Sequence, residues 1–487
     1  MAVDAVSSPC CNASRSRIEQ LPDDVLLEIF YRLPCRSAVG CSSISKRWCS
    51  LISHPNFIPH YINHRHQYQY TEPFTLVFQN GDDLVVFPSD NSSSESFEDF
   101  GRSGGYGRLV DFLNFLPYRQ PYNDLRIVAS FKDLLLVSSE VSTNCDYFIC
   151  NPLTEQWLKL PRLPPTMSIW PPSQYTLVGF ICEPFTHSCK VVRIHCPTRE
   201  ANNITLLRVE TFSSETGEWS NSFVLSPQGL NPFSFVSKLH RVIACNGMLH
   251  WVQVDSEDGS GTMKGILVFD PQGGHLRYMS LPVSPQGNVI SFGEFQWRLR
   301  LFQRSLNLRI PDRELGYRYF SFCASDVCNF SIWELEDYAD AGIWTLKHEV
   351  YFKDMLSECS TVIKMVGRRE PVVFIAFHQN DGDIVFLNFG DDIRSCNLRR
   401  GVSTLVRGIV SSMHKSSVFV LGQPSWPTPV HPLPLKFESP PPPPDFPKEC
   451  QDIQLRSWLD SLDDGTTVVG INAVFDIEKA HLKTNAF

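Results

Sequence analysis

The sequence predicts a small all-α module followed by an all-β propeller of about six blades. Three observations carry that expectation. Residues 21–52 place apolar side chains at helical spacing between and beyond two Leu-Pro steps. From residue 74 to about 421 the helical period gives way to short aliphatic and aromatic runs parted by Gly, Asn, Asp, Ser and Pro. Within that second region a turn followed by an aromatic or aliphatic anchor recurs, as radial repetition requires.

The first helix is expected to start at Pro22, whose missing N–H is harmless in a first turn, with Asp23 and Asp24 placed to suit the helix dipole. Leu26, Ile29, Phe30 and Leu33 then share one face, Arg32 lies in the last turn, and Pro34 ends the helix. A short middle helix over 37–43 and a third carrying Ile44, Trp48, Leu51 and Ile52 follow, until His54-Pro55 stops it. A unit below about 45 residues seldom buries enough surface to stand alone, so this one is expected to dock on a partner.

These residues resemble the F-box, the helical motif by which substrate receptors attach to the Skp-type adaptor of Skp–cullin–F-box ubiquitin ligases. The resemblance rests on Leu21-Pro22, Asp23-Asp24, the aliphatic run 26–30, Leu33-Pro34, Ser37-Ala38, and Ile44-Ser45-Lys46 followed by Trp48. Periodicity alone would not supply those steps in that order. Gly40 stands where the plant form commonly has a basic residue, and Cys49 where it commonly has Arg. The resemblance implies an adaptor-binding surface of Leu21, Pro22, Leu26, Ile29, Phe30, Leu33, Pro34, Ile44, Lys46, Trp48 and Leu51, and through the adaptor a partnership with cullin and RING subunits.

Residues 1–16, small and polar, read as a disordered leader, 17–62 as the F-box, and 63–73 as a His- and Tyr-rich connector. Strands are expected at 75–78, 84–87, 134–137, 177–182, 204–209, 242–245, 248–252, 266–269, 372–377 and 384–389. Asn246-Gly247 gives the strongest hairpin signal, because a type I′ turn needs positive φ at both central residues; Lys132-Asp133 and 379–383 bracket two more antiparallel pairs. The repeated phrase is Asn151-Pro152 leading to Trp157 and Leu160-Pro161, then 214–217 leading to Trp219 and Leu225, then Asp270-Pro271 leading to Leu276 and Leu281-Pro282. A β-sandwich is the structural alternative, but repetition over this length suits a propeller better. The final strand near 417–421 is expected to pair with the first blade.

The region 74–421 resembles the kelch-like F-box-associated domain of plant F-box proteins, through Asn151-Pro152 with Thr154, Trp157 and Leu160-Pro161, the runs 189–194 and 246–251, and 330–335. Residues 88–107 interrupt the first blade as a Ser- and Gly-rich loop, and 422–487 read as a Pro-rich tail, an extended linker rather than an SH3- or WW-type ligand, with a short helix at 448–462.

Composition narrows the function. A net charge of −9 argues against a general nucleic-acid binder, since phosphate contacts need a basic footprint. No apolar run reaches membrane-spanning length and 1–17 has no apolar signal core, so the expectation is a soluble protein of the cytoplasm, the nucleus or both. The 16 cysteines, among them Cys145, Cys182, Cys245 and Cys323, lack zinc-knuckle spacing and read as reduced, small apolar core residues, with Cys10-Cys11 the conspicuous pair. No metal and no cofactor is expected. The sequons at Asn203 and Asn329 read as chance matches in strands. Single histidines such as His187, His195, His240, His250 and His275 read as structural, and the Asp-box-like phrase at 461–465 lies outside the repeats. With no phosphate loop, GxSxG elbow or HExxH helix, catalysis is not expected.

One segment stands out for recognition. Residues 297–319 carry Arg298, Arg300, Arg304, Arg309, Arg313 and Arg318 beside Trp297, Tyr317 and Tyr319 in an otherwise acidic chain. Trp297, Arg298, Arg300 and Arg304 are the target-binding candidates, for an acidic or phosphorylated segment; the plainer reading is a strand face neutralised by nearby acids. The function expected is that of a non-catalytic substrate receptor whose propeller captures a target for ubiquitination. The alternatives are an adaptor-bound protein without a degradative role, a small-ligand-sensing propeller and, less favoured, a propeller enzyme.

Overall fold

In the computed structural model each Leu-Pro step leads into a helix: α1 (Asp23–Arg32) follows Leu21-Pro22 and α2 (Cys35–Cys41) follows Leu33-Pro34. In α3 (Lys46–Ile52) the Ser45 side chain caps the helix by accepting from the Trp48 N–H at 3.2 Å. Arg47 ties α3 to the start of α1, its Nε donating to Asp23 at 2.8 Å and its Nη2 to the Leu21 carbonyl at 2.7 Å. The structure describes residues 17–434 except 68–71, 89–105, 118–123, 142–143, 163–174, 184–186, 197–205, 226, 228–241, 255–262, 283–286, 307–321, 324–326, 339–341, 352–370, 390–391 and 409–416. The expected leader at 1–16 and helix at 448–462 lie outside it.

A fourth helix, α4 (Phe57–Gln67), corrects the reading of this stretch as the end of the module and a connector. Pro59 is compatible with this helix because it occupies the first turn, where its N–H is not needed. Phe57 and Tyr61, one turn apart, are buried with Leu26, Phe30, Ala38, Trp48 and Ile52, and the Tyr61 hydroxyl donates to the Leu33 carbonyl at 2.7 Å.

The strands β1 (Phe74–Asn80), β2 (Asp83–Pro88) and β3 (Tyr106–Arg108) precede the short helix α5 (Leu109–Phe112). Four blades of four strands follow. The first holds β4 (Asp124–Phe131), β5 (Leu134–Val141), β6 (Asn144–Asn151) and β7 (Gln156–Lys159). The second holds β8 (Tyr175–Cys182), β9 (Cys189–Cys196), β10 (Leu206–Ser213) and β11 (Glu218–Leu225). The third holds β12 (Val242–Cys245), β13 (Met248–Val254), β14 (Met263–Phe269) and β15 (Leu276–Ser280). The fourth is interrupted, running through β16 (Gly287–Phe295), β17 (Arg298–Leu306), β19 (Val327–Asp337) and β20 (Ile343–Tyr351), because β18 (Phe322–Cys323) leaves it to pair in the fifth blade. That fifth blade adds β21 (Pro371–Phe377), β22 (Ile384–Phe389), β23 (Asp392–Asn397) and β24 (Val402–Gly408). The last strand, β25 (Ser417–Gly422), returns to the start and pairs antiparallel with β1, from Phe74↔Gly422 to Gln79↔Ser417, so that the sheet order β25-β1-β2-β3 closes a sixth blade. Closure by the C-terminal strand, expected from the sequence, is what the structure has. Radial closure of this kind leaves only short, protected edges.

Blades hold to one another through side chains. One buried cluster joins the first three blades through Leu136, Phe180, Val191, Leu249, Trp251 and Phe269, and another joins the closing blade to the first through Val77, Leu84, Ile127, Val137 and Leu421. The Asn246-Gly247 turn has the expected positive φ at both positions, 52° and 76°. The anchor phrase is less uniform than expected: Trp219 is buried and donates its ring N–H to the Pro161 carbonyl at 2.8 Å, whereas Trp157 is exposed against Phe148. The cysteine reading is corrected at one pair, since Cys182 and Cys189, directly opposite each other on β8 and β9, are joined in a disulfide. Cys150, Cys245 and Cys396 are free and buried, as expected for small apolar side chains.

The opening of the Pro-rich tail is also corrected. Residues 423–434 lie on the propeller instead of leaving it, and Trp426 packs edge-on against Phe57 and Tyr61 of the helical module.

Candidate adaptor-docking face and propeller mouth

Packing of α3, α4 and Trp426 against α1 divides the expected adaptor-binding residues in two. Leu26, Phe30 and Trp48 are buried inside the module, Phe30 and Trp48 ring to ring at 5.1 Å, and hold its shape from within. Leu21, Ile29, Leu33 and Leu51 are half-buried, while Pro22, Pro34, Ile44 and Lys46 are exposed. Val25, absent from the sequence-based set, joins them: it is 40% exposed, and Ile44 is 62% exposed, so that these branched aliphatic side chains, with Ile18 and Ile58, remain in water after the module's core is complete. The signal for Val25 was available, since Val25 and Ile29 are one helical turn apart beside the Leu26–Phe30 stripe. Gly40 faces open space, where a Cβ would meet nothing within 4 Å, and Cys49 is exposed.

At the propeller's end nearest this module two-residue turns join β4 to β5, β12 to β13 and β16 to β17. Gly422, at the end of β25, donates its N–H to the Lys132 carbonyl at 2.8 Å, and Asn380 Nδ2 donates to the Glu72 carbonyl at 2.6 Å, so these turns and the segment entering β1 share one end. A cavity of about 440 Å³ opens there, lined in part by Phe131, Lys132, Glu294, Trp297, Phe377 and Phe419. Burial raises the Glu294 carboxyl above its ordinary value despite the Trp297 N–H it accepts at 2.6 Å and the nearby Arg300 and Lys132. Trp297 is 48% exposed, with φ 66° after Gln296 at 48°, a turn geometry that usually calls for Asn-Gly. Lys132 Nζ lies 5.0 Å from its ring centroid, and its carbonyl accepts from the Cys245 thiol at 3.0 Å. The mouth is therefore mixed in character, neither wholly apolar nor wholly neutral.

The arginines are not presented as a free cationic patch. Arg300 is buried, its Nε donating to Glu334 at 2.7 Å and Nη1 to the Gly382 carbonyl at 2.9 Å, and its guanidinium lies 4.0 Å from the Phe295 ring centroid. Arg298 reaches the other Glu334 oxygen at 3.0 Å, and Lys347 approaches at 3.6 Å. Although burial alone would raise the Glu334 carboxyl, these cations hold it below its ordinary value. The neighbouring strand β19 thus supplies the charge that the local sequence lacks, which corrects Arg300 as a target contact. Arg304 lies on β17, opposite Asn288 and Phe330; its side chain, and all of Arg309, Arg313, Tyr317, Arg318 and Tyr319, fall outside the described residues.

Among the described residues no group of three or more His, Cys, Asp or Glu side chains is placed to hold a metal ion, and no helix is long and apolar enough to cross a membrane. Residues 106–421 match the family described as F-box protein At3g26010-like, beta-propeller, and residues 18–60 match the F-box domain. The chain belongs to this F-box β-propeller family. F-box protein At5g49610 of Arabidopsis thaliana is 30% identical over 269 residues, which cover 54% of this chain and 64% of that protein, a little under two thirds of its length. F-box protein At5g07610 of the same plant is 24% identical over 313 residues, covering 60% of this chain and 67% of that protein. Among solved structures, the nidogen/laminin complex contains a chain that aligns over 72% of this one and 99% of its own length at 8% identity with a TM-score of 0.35, too low to bear on function. Within the F-box, Gly40 and Cys49 thus sit on open surface, where a basic side chain would fit without moving the core.

Proposed function

We propose that the chain is the substrate-recognition subunit of a Skp–cullin–F-box ubiquitin ligase, and that its F-box docks on the Skp-type adaptor while its propeller captures a target protein. The observation that carries this reading is that Val25 and Ile44, like Pro22, Pro34 and Lys46, stay exposed, so that a completed module core leaves apolar side chains in water. The contribution is proximity: tethering raises the effective concentration of target lysines near a ubiquitin-charged enzyme, and the acid, base and thioester chemistry belongs to other subunits. This chain is then non-catalytic, and it works in the cytoplasm, the nucleus or both. Target selection is assigned to the propeller end away from the F-box, where the sequence spaces its strands widely, as from Leu225 to Val242 and from Tyr351 to Pro371, since variable connections on a rigid scaffold carry specificity.

The test is co-purification with the adaptor, comparing wild type with Val25→Asp and Ile44→Asp, surface changes that spare the core, and with the paired changes Leu21→Ala with Pro22→Ala and Leu33→Ala with Pro34→Ala. Adaptor binding is expected to fall at least tenfold in each. Undiminished binding in the two surface variants would sink the assignment. A second reading, a propeller that senses a small ligand, is favoured by the mixed cavity at Lys132 and Trp297 and predicts that Trp297→Ala alters target turnover without touching adaptor binding.

A further inference from the structure

We propose that residues 423–434 are a strap that fixes the F-box against the propeller, and that Trp426 is its positioning residue, setting where an adaptor-borne conjugating enzyme stands relative to a captured target. The functional half of this inference rests on the reading above; the mechanical half does not. Among the described residues, Trp426 is the one side chain from beyond the helical module that the module's apolar core includes, its ring centroid 5.6 Å from that of Phe57 and 5.3 Å from that of Tyr61. Both contacts are edge-on, the geometry in which aromatic pairs gain beyond their buried area.

The strap is built to lie down. Prolines at 424, 427, 429, 432 and 434 stiffen it and remove N–H groups that would need partners. Four of the N–H groups that remain are taken by the segment entering β1 and by the first blade: Gln423 donates to the Pro73 carbonyl at 2.8 Å, Ser425 to Glu72 at 3.0 Å, Thr428 to Asp133 at 2.7 Å and Val430 to Gln156 at 3.2 Å. In return the Thr428 carbonyl accepts from Asn151 Nδ2 at 2.8 Å, and Val430 and Leu433 pack on the core shared by the first three blades. The buried Gln423 side chain adds a bond to Thr75 at 3.1 Å. Trp426 therefore projects from a segment anchored on both sides of it, Gln423 and Ser425 before, Thr428 and Val430 after. A side chain so held transmits orientation rather than mere attachment, because the segment that bears it is fixed to the propeller on both sides of the ring.

The experiment uses the full chain as wild type, Trp426→Ala, Trp426→Phe, and Pro427→Gly with Pro429→Gly, which relaxes the strap and leaves the ring in place. Amide exchange in α4 is expected to rise about tenfold to a hundredfold in Trp426→Ala and by a smaller factor in the Pro→Gly variant, to stay near wild type in Trp426→Phe, and to remain unchanged in β4, β5 and β13. In a reconstituted ligase, the lysines that become ubiquitinated on the receptor itself should spread from a narrow set in wild type and Trp426→Phe to a broad one in Trp426→Ala, with adaptor binding intact. Wild-type exchange in α4 of Trp426→Ala would overturn the strap; if that variant does not fold, wild-type exchange in the Pro→Gly variant would do so. An unchanged lysine set despite loosened α4 would overturn the positioning role. Failure of the wild type itself to bind adaptor would overturn the ligase reading and leave the exchange result to decide the strap.

Discussion

The F-box and the closing blade are both completed by the other end of the chain, and by different means. The blade receives backbone: β25 lies in continuous register with β1 over six residue pairs, so its contribution is a ladder of main-chain hydrogen bonds with Phe419 and Leu421 packed behind them. The helical module receives one side chain, Trp426. A ladder is lost cooperatively, because each pair holds its neighbours in register, whereas a single ring can be removed while the helices it touches keep their own bonds. The propeller is thus expected to depend on β25 for existence and the F-box to depend on Trp426 for placement.

Ending the chain after residue 416 or after residue 422 is the strongest way to break the comparison. The first removes β25 and should lower the propeller's melting temperature by more than about 10 °C or abolish its cooperative transition. The second keeps β25 and should leave that transition within a few degrees while α4 exchanges faster. Equal behaviour of the two chains in scanning calorimetry would mean that closure is not what holds the ring.

Acid should act on the propeller through His250. This side chain is fully buried, with Nδ1 3.0 Å from the Ile243 carbonyl, and burial pushes its pKa down to about 4, further helped by Arg277 and only partly opposed by that carbonyl. Folding therefore favours the neutral ring: its contribution is fully present above about pH 6.5 and is lost as pH falls from there to about 4, up to about 3 kcal/mol in all. The His250 ring signal in NMR should stay neutral at pH 5.5 while the protein is folded; titration near pH 6.5 would count against this placement.

A smaller effect is expected at Asp133, where the strap and the first blade meet. Burial raises its carboxyl, against the bonds from Thr428 and Asn151. Asp133→Ala leaves those two donors without their acceptor and should cost about 2 kcal/mol, whereas Asp133→Asn keeps an acceptor, loses the buried charge and should stay within about 1 kcal/mol of wild type. Chemical denaturation of the three proteins gives both numbers. The smallest effect is expected from Gly40→Arg on the open face of α2: stability should change by less than about 0.5 kcal/mol, and adaptor affinity should hold or improve. A marked loss of affinity would place the docking face elsewhere on the module.

What was legible depended on how far apart the cooperating residues lie. The Leu-Pro steps, Ser45 as a cap and the Asn246-Gly247 hairpin are local, settled by contacts within a few residues. Blade repetition was legible because apolar runs and turns recur, and closure because β25 is one more such run. Three features were not fixed by local spacing. A neutralised arginine face was the plainer reading, but the acid that neutralises Arg300 was not legible because Glu334 lies on a neighbouring strand; Cys182 and Cys189, seven residues apart, became partners only once β8 and β9 paired in register; and Trp426, alone among prolines, offered no period to read. The sequence by itself determined the first three helices of the module, the six-fold alternation of strand and turn and the absence of a familiar catalytic motif, since propensity and periodicity act over one or two turns of chain. Only the tertiary structure decided which apolar side chains the F-box leaves for a partner, which charges are already neutralised and how the Pro-rich segment holds module and propeller together, because each is a matter of what lies across the fold, where spacing along the chain no longer measures distance.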